Sequence, residues 1–427
     1  MRLKCKNEHV NQRDAAMLMD ALSLSPMAAQ LLLQRGIDTV DAARSFLYDE
    51  TLCDPFAFTQ MADAVKVIKD AIGQQKHIVV YGDYDCDGIS ACAILVHRLT
   101  VMGADVSPYI PSRSFEGYGL NLSAMEVISK DAGLVITVDC GIGSMSEIAY
   151  LREKGIDVVL TDHHTPGDVL PNANALLNPK VQAPRGLENL CGCGMAYTLA
   201  RALGAGDDDY IAICAMATIG DIVPLIGENR IIVKRGLRAM NENRPVFLKA
   251  LMEEARLSYD TLGATQVAYM LVPRINAAGR MDDAMVAYHL LQTGDAAKAA
   301  EYARTLCAYN VKRQSMEEEI LKEALAALKK HPPRDRRAVY AFGRGWHQGV
   351  VGIVASRLTE QFQMPAVVGS IDESGSLTAS LRSVGNVNIH TALTACEDLF
   401  SRYGGHAQAG GFTMESDKIE TFIERFE

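Results

Sequence analysis

Apolar positions recur at three- and four-residue intervals through QLLLQRG and DAVKVIKDAIG, and that period predicts helices across residues 1 to about 72. From His77 the rhythm changes. The apolar runs HIVVYGDYD, VSPYIP, LVITVDC and DVVLTDHH have strand length, and they alternate with helical patterns such as ISACAILVHRL and SEIAYLREKG. That alternation predicts a parallel α/β sheet. Residues 209–330 carry helical patterns instead, including YIAICAMATIG and a long amphipathic stretch from Asp295 to Lys330 expected to be a connecting helix. After the break HPPRDRR, the strand-like AVYAFG and AVVGSI flank the helical VVGIVASRLTEQF. The expected layout is a helical segment over 1–72, an α/β domain with a helical insertion over 73–294, the long helix over 295–331 and a smaller α/β domain over 332–427. No internal repeat or low-complexity tract interrupts it.

Parallel strands of one sheet end at a common edge, where ligands of α/β folds bind. YGDYDCDG puts Asp83, Asp85 and Asp87 beyond the first expected strand, ITVDCG puts Asp139 beyond the third, and LTDHH puts Asp162, His163 and His164 beyond the fourth. Each residue alone would pass as a helix cap or turn former. Together they crowd five carboxylates and two imidazoles onto one edge, and unpaired buried charges of one sign cost several kcal/mol each. Divalent cations relieve that repulsion, and mixed oxygen and nitrogen donors suit manganese, with magnesium an alternative. Metal-assisted phosphoester hydrolysis is the reaction class that fits, by one ion or by two.

Composition narrows the remaining choices. A net charge of −10 argues against a general nucleic-acid coat protein, although it leaves room for a locally basic channel. Ten cysteines in 427 residues are too sparse for a secreted disulfide scaffold, so they read as reduced core residues. Cys191 and Cys193 in LCGCG form a close pair without a second Cys/His pair nearby, and the segment reads as a tight Gly-rich turn rather than a zinc site. No apolar run reaches the length of a membrane span, and the first residues lack a hydrophobic signal segment, which together predict a cytoplasmic protein without membrane contact.

At these residues the chain resembles the DHH phosphoesterase superfamily, named for the triplet present here as Asp162, His163 and His164. YGDYDCDGISA, TVDCGIG and GDIVPLIGENR are similar to its successive acidic motifs, the last adding Asp221, while SLRSVGNVNIHTAL and YGGHAQAGGFTM resemble the associated DHHA1 domain. QLLLQRGIDTVDAARSFL, DPFAF, IPSRSFEGYGL, LVPRINAAGRM and GWHQGVVGIVASRL point within it to the RecJ family. The resemblance implies two α/β domains joined by a long helix, and a 5′ to 3′ exonuclease that releases mononucleotides from single-stranded DNA with Mn2+ or Mg2+, in DNA repair and recombination. Asp85, Asp87, Asp139, His163 and Asp221 match the metal ligands, and two ions are expected. Asp83 is a further ligand or stands behind them, Asp162 belongs to the catalytic triplet, and His164 faces the scissile phosphate.

The same motifs place Arg113, Arg274, Asn276 and Arg280 along the strand's phosphates, in a cleft between the two domains. Ser380 and Arg382, with the backbone of Gly404, Gly405, Gly410 and Gly411 around His406, form an expected pocket for a 5′-phosphate; ordinary glycine turns are the alternative. Phe115 and Tyr118 are candidates for base stacking. Three positions depart from the pattern. Cys86 replaces a small alanine, Tyr81 stands where some members have a metal-binding histidine, and the sequence stops at Glu427, where relatives commonly continue into an OB-fold. If this chain is the complete protein, weak and salt-sensitive binding to long strands is expected. Single-strand binding protein and a helicase are the expected partners. Two other readings remain: a DHH phosphodiesterase for small substrates (oligoribonucleotides, 3′-phosphoadenosine phosphate or cyclic dinucleotides), and a catalytically silent scaffold of a replication assembly.

Overall fold

A computed structural model describes residues 11–113, 116, 119–182, 186–281, 283–330 and 336–427. Phe115 and Tyr118 lie outside the described residues. The first helices are α1 (Gln12–Leu22), α2 (Pro26–Gln34), α3 (Val40–Tyr48) and α4 (Met61–Gly73). Asn11, Ser25 and Thr39 start the first three, each side chain accepting a hydrogen bond from a first-turn amide. Leu18, Leu22, Ala29, Leu32 and Ala43 make their small core.

The first sheet contains β1 (His77–Gly82), β2 (Val106–Tyr109), β3 (Ala132–Val138), β4 (Asp157–Thr161) and β5 (Ala175–Leu177), in the order β2-β1-β3-β4-β5 with every pair parallel. The first four match the expected strands. β5 is an addition to them, because three residues are too few to show a period. Strand order across the sheet reverses between β1 and β3, which opens a crevice at their carboxyl ends.

Three helices connect these strands: α5 (Cys86–Val101), α6 (Leu122–Ile128) and α7 (Met145–Glu153). From Cys86 to Val96 every residue of α5 is buried, which explains its nearly unbroken apolar sequence. Tyr81 is fully buried in β1, stacks on Tyr109 at 5.1 Å and donates its hydroxyl to the Gly119 carbonyl at 3.0 Å. The tyrosine at this departure from the family pattern is thus a packing residue.

After β5 come α8 (Pro179–Gln182), α9 (Gly192–Ala202), α10 (Ile211–Gly220), α11 (Gly227–Glu242) and α12 (Val246–Glu254). Along α11, Lys234 Nζ and Arg235 Nη1 donate to the carbonyls of Leu47 and Glu50 at 3.3 and 3.2 Å. These cations bond a carbonyl in the last turn of α3 and one just beyond it, tying the N-terminal helices to the sheet domain. A short helix α13 (Ala264–Gln266) leads into a π-helical turn, Val267–Leu271. These segments, up to Val272 but without 110–118 and 249–258, form one compact unit.

The second unit comprises residues 110–118, 249–258 and 273–427. It holds most of α14 (Val272–Arg280), then α15 (Ala284–Gln292), α16 (Ala296–Lys330), α17 (Gln348–Phe362), α18 (Ile389–Thr394) and α19 (Ile419–Phe426). Its mixed sheet runs β6 (Val339–Arg344), β7 (Ala366–Ile371), β8 (Ser376–Arg382), β10 (Ala409–Glu415), β9 (Arg402–Gly405), with β6 and β7 parallel and the other pairs antiparallel. The 35-residue α16 packs on α15, α17 and β6, and its Ile320, Ala324 and Leu328 share a core with Val350, Val354 and Leu358 of α17. Among the described residues, no single helix is long and apolar enough to cross a membrane.

The other face of the second sheet is closed by aromatic packing. Phe422 of α19 is fully buried, with ring centroids 4.6 Å from Phe412 and 5.8 Å from Phe400. Phe422→Ala should lower stability by about 3–5 kcal/mol, measured as a fall in the denaturation midpoint; a loss under about 1 kcal/mol would show that the cluster does not hold α19.

Candidate active site

The crevice between β1 and β3 is lined by carboxylates whose spacing the main chain imposes. Asp83 follows β1 directly. Gly88, in the first turn of α5, passes so close that a Cβ there would lie 2.5 Å from the backbone N and O of Asp83. Asp85 caps α5, accepting from the amides of Asp87 at 2.8 Å and Gly88 at 3.2 Å. Asp87 is 2% exposed and meets the start of α9, where the amides of Gly192 and Cys193 donate to its two oxygens at 2.6 and 2.9 Å. LCGCG is therefore not the expected tight turn. Its glycines begin a helix, and the amide groups and positive dipole end of that helix hold an anionic side chain.

Asp139 adopts φ 61°, a left-handed backbone that costs a non-glycine residue about 1–3 kcal/mol. Gly192 makes room for it, since a Cβ there would sit 2.4 Å from the Asp139 Cβ. At the end of β4, Asp162 accepts from the amides of Ile142, His163 and His164 at 2.9, 2.7 and 3.1 Å, and from His164 Nδ1 at 2.7 Å. His163 Nε2 lies 3.1 Å from Asp139 Oδ1 and 3.8 Å from Asp87 Oδ2, and its Nδ1 lies 3.7 Å from Asp221 Oδ2. Asp221 follows α10.

The structure thus gathers Asp83, Asp85, Asp87, Asp139, His163, His164 and Asp221, with Asp162 behind them as the anchor of His164. Three overlapping sets have potential ligand atoms within 4.8 Å of one another: Asp139, His163 and His164; Asp87, His163 and Asp221; and Asp83, Asp85 and Asp139. Burial and neighbouring carboxylates push Asp139 well above the usual carboxylate range and Asp221 up to about 9, and burial also raises Asp87. Burial lowers His163 to about 4, so at neutral pH it is an uncharged nitrogen donor rather than an ion-pair partner of these aspartates. Among the described residues, Asp139 Oδ1 and Asp221 Oδ2 are buried without a hydrogen-bond partner. The donors of this cluster, carboxylate oxygens and imidazole nitrogens, fit a hard or borderline divalent metal.

Asp162 behaves differently. Burial alone would raise its carboxyl, but the His164 hydrogen bond and charge and the amide donors hold it below the usual range. His164 is raised in turn, the Asp162 contact outweighing burial.

The remaining candidates lie in the second unit, except that α14 begins one residue before it. Arg274, Asn276 and Arg280 share α14, and Arg280 Nη1 donates to the Gly349 carbonyl at 2.8 Å in the first turn of α17. On β8, Ser380 and Arg382 approach α17 at Gly352, where a Cβ would be 3.1 Å from Arg382 Nη2 and 3.4 Å from Ser380 Oγ. Arg382 is held below the usual arginine range by burial and by the nearby Arg113 guanidinium. The two guanidinium groups concentrate positive charge on one part of the second unit. Gly404, Gly405, Gly410 and Gly411 belong to the β9–β10 hairpin rather than to two separate turns, with exposed His406 at its bend and Ala409 opposite Arg382.

Sequence reasoning missed the Gly192 and Cys193 amides, whose only signal was a pair of glycines. It also missed Lys180 of α8, an exposed cation that opposes the rise of Asp221 and adds to the lowering of His163. Buried Asn178 was missed too; its side chain donates to the His164 carbonyl at 2.9 Å and accepts from the Lys180 amide at 2.8 Å.

A profile described as "DHH family, N-terminal domain" matches residues 77–219, and one described as "DHHA1 domain" matches 335–427. The single-stranded-DNA-specific exonuclease RecJ of Bacillus subtilis (strain 168) is 37% identical over 431 residues, covering 99% of this chain and 55% of that protein. Its counterpart in Salmonella typhimurium is 35% identical, with 94% and 74% covered. The crystal structure of RecJ in complex with Mn2+ from Thermus thermophilus superposes with a TM-score of 0.85 at 33% identity, covering 98% of this chain and 60% of that one. The chain therefore spans little more than half the length of two of these relatives.

The raised carboxyls set a pH dependence. Asp87, Asp139 and Asp221 bind protons more tightly folded than unfolded, so the metal-free fold loses stability as pH rises from about 4 through the Asp221 value of about 9. A divalent ion takes the place of those protons. Thermal unfolding with and without Mn2+ should show a larger metal-induced rise in midpoint at pH 8.5 than at pH 6, whereas an equal or smaller rise would contradict this site.

Proposed function

Because this chain belongs to the RecJ family, we propose that it hydrolyses single-stranded DNA from the 5′ end to 5′-mononucleotides, using Mn2+ or Mg2+, with two ions bound. The observation that carries this reading is the convergence of the aspartates and His163 on the crevice between β1 and β3, in a cluster where burial and neighbouring carboxylates raise Asp139 and Asp221. Asp85, Asp87, Asp139, His163 and Asp221 would hold the metal, with Asp83 beside them. When bound, divalent ions polarise the phosphoryl oxygens and lower the pKa of water.

The chain's own groups do the rest. Asp162 fixes the His164 ring through Nδ1 and favours its protonated form, so that Nε2 is a donor for an oxygen of the scissile phosphate. The Gly192 and Cys193 amides hold the Asp87 carboxylate in place, the Cys193 bond offsetting part of the rise that burial causes, which limits reorganisation when negative charge develops nearby. In the second unit, Arg382, Ser380 and Arg113 supply donors suited to a terminal phosphate, while Arg274, Asn276 and Arg280 suit the phosphates of a strand. Contacts of this type go to the backbone, so selection rests on strandedness and end chemistry rather than on base sequence.

Product analysis of a labelled single strand tests polarity, product size and metal dependence together. Mononucleotides should appear from the 5′ end with Mn2+ and vanish on chelation, and Asp85→Ala should reduce the rate at least about 100-fold. Intact strands alongside rapid hydrolysis of dinucleotides would instead support a small-substrate phosphodiesterase. Arg382→Ala should cut the preference for 5′-phosphate over 5′-hydroxyl ends by about 10- to 100-fold, as expected for a charge-assisted hydrogen bond. An unchanged preference would remove Arg382 from the terminal-phosphate pocket.

A further inference from the structure

Immediately after Asp221 stands Ile222, 88% exposed and at φ 58°. A β-branched residue in the left-handed region is an outlier, because its branched Cβ crowds the backbone where asparagine or glycine would not. Exposure adds a second anomaly, since nothing packs on most of this side chain. Ile226, at the other end of the same loop, is 50% exposed.

The end of α10 also touches the π-helical turn. The turn packs on α10, and an added Cβ at Gly220 would lie 3.0 Å from Cγ1 of Val272, the residue that follows the turn. That turn is anchored by buried Val267 and Leu271, yet it presents Tyr269 at 75% exposure. π-Turns concentrate at functional sites, where they re-aim a side chain that a regular helix would place elsewhere. Two large exposed apolar groups therefore stand on the turn and on the loop that leaves the helix it packs against, Ile222 immediately after the carboxylate that completes the metal set.

We infer that Tyr269 and Ile222 form a ledge for unpaired nucleobases, with the Tyr269 ring stacked on a base and Ile222 against the nucleotide whose phosphate reaches Asp221. The inference rests on the exonuclease reading above. Stacking on an aromatic ring is tolerant of sequence because every base has a π-face. In a duplex both faces of an internal base are already occupied by its neighbours, so the ledge adds selection for single strands at the reacting nucleotide rather than at the entrance.

The test uses the whole chain with Mn2+ and a 5′-phosphorylated thymidine strand of about 20 nucleotides, compared with the same strand carrying abasic sites near its 5′ end. Tyr269→Ala should raise KM about 10-fold on the base-bearing strand, with little change in kcat, while Tyr269→Phe stays near wild type. On the abasic strand, wild type and Tyr269→Ala should coincide. Ile222→Asn should raise KM while leaving the thermal midpoint unchanged or higher, a combination that damage to the fold does not produce. An unaltered KM in Tyr269→Ala, an equally large loss on the abasic strand, or a stabilised Ile222→Asn with wild-type KM would each overturn the ledge. Wild-type protein that leaves the thymidine strand intact would overturn the exonuclease reading, and the ledge with it.

Discussion

Negative charge gathered on buried side chains is the constraint from which the rest of the first unit follows. Asp83, Asp87 and Asp139 are each under 5% exposed, and they stand close enough to raise one another's affinity for protons. Such a group is tolerated only where fixed positive poles or cations face it. The protein supplies part of that compensation permanently, through the amides at the start of α9 and the cap of α5, and leaves the remainder to exchangeable metal. The parallel sheet is arranged to serve this balance: a reversal of strand order brings the ends of β1 and β3 side by side, and two glycines let helices approach without a Cβ between them.

The second unit poses the opposite electrostatic problem. Arg382 is largely buried and close enough to Arg113 for that guanidinium to disfavour its charge. Carboxylates crowd the crevice of the first unit, and two guanidinium groups lie near each other in the second.

Much of the first unit was legible in the sequence because strand, turn and acid occur there in direct succession. HIVVYGDYD and DVVLTDHH give the apolar run and its polar end in one reading, and β1 and β4 lie where they predict. β5 escaped because three residues show no period. LCGCG was misread for a different reason. Its glycines are required by Asp139, and its amides by Asp87, which lies about a hundred positions earlier in the chain; that need is visible only once α5, β3 and α9 are assembled. In the second unit, the resemblance assigned Arg113 and Arg382 to different stretches of the substrate, whereas their charges lie close enough to interact. No local pattern marks either of them out from a solvated arginine. The glycines of YGGHAQAGG, read as a phosphate pocket with ordinary turns as the alternative, lie in two paired strands, because glycine in a closely packed hairpin has the same composition as glycine in a loop.

The dependence of Asp87 on amides from α9 has a consequence for the birth of the protein. A chain emerging from the ribosome completes β1 and α5 well before the residues of α9 and α10 exist, so its earliest acidic motif is made without the partners that order it. Domains generally close only after their distant segments can meet. Assembly of this crevice is therefore a late event of synthesis, and a half-made polypeptide carries the acidic motif without the amides that order it.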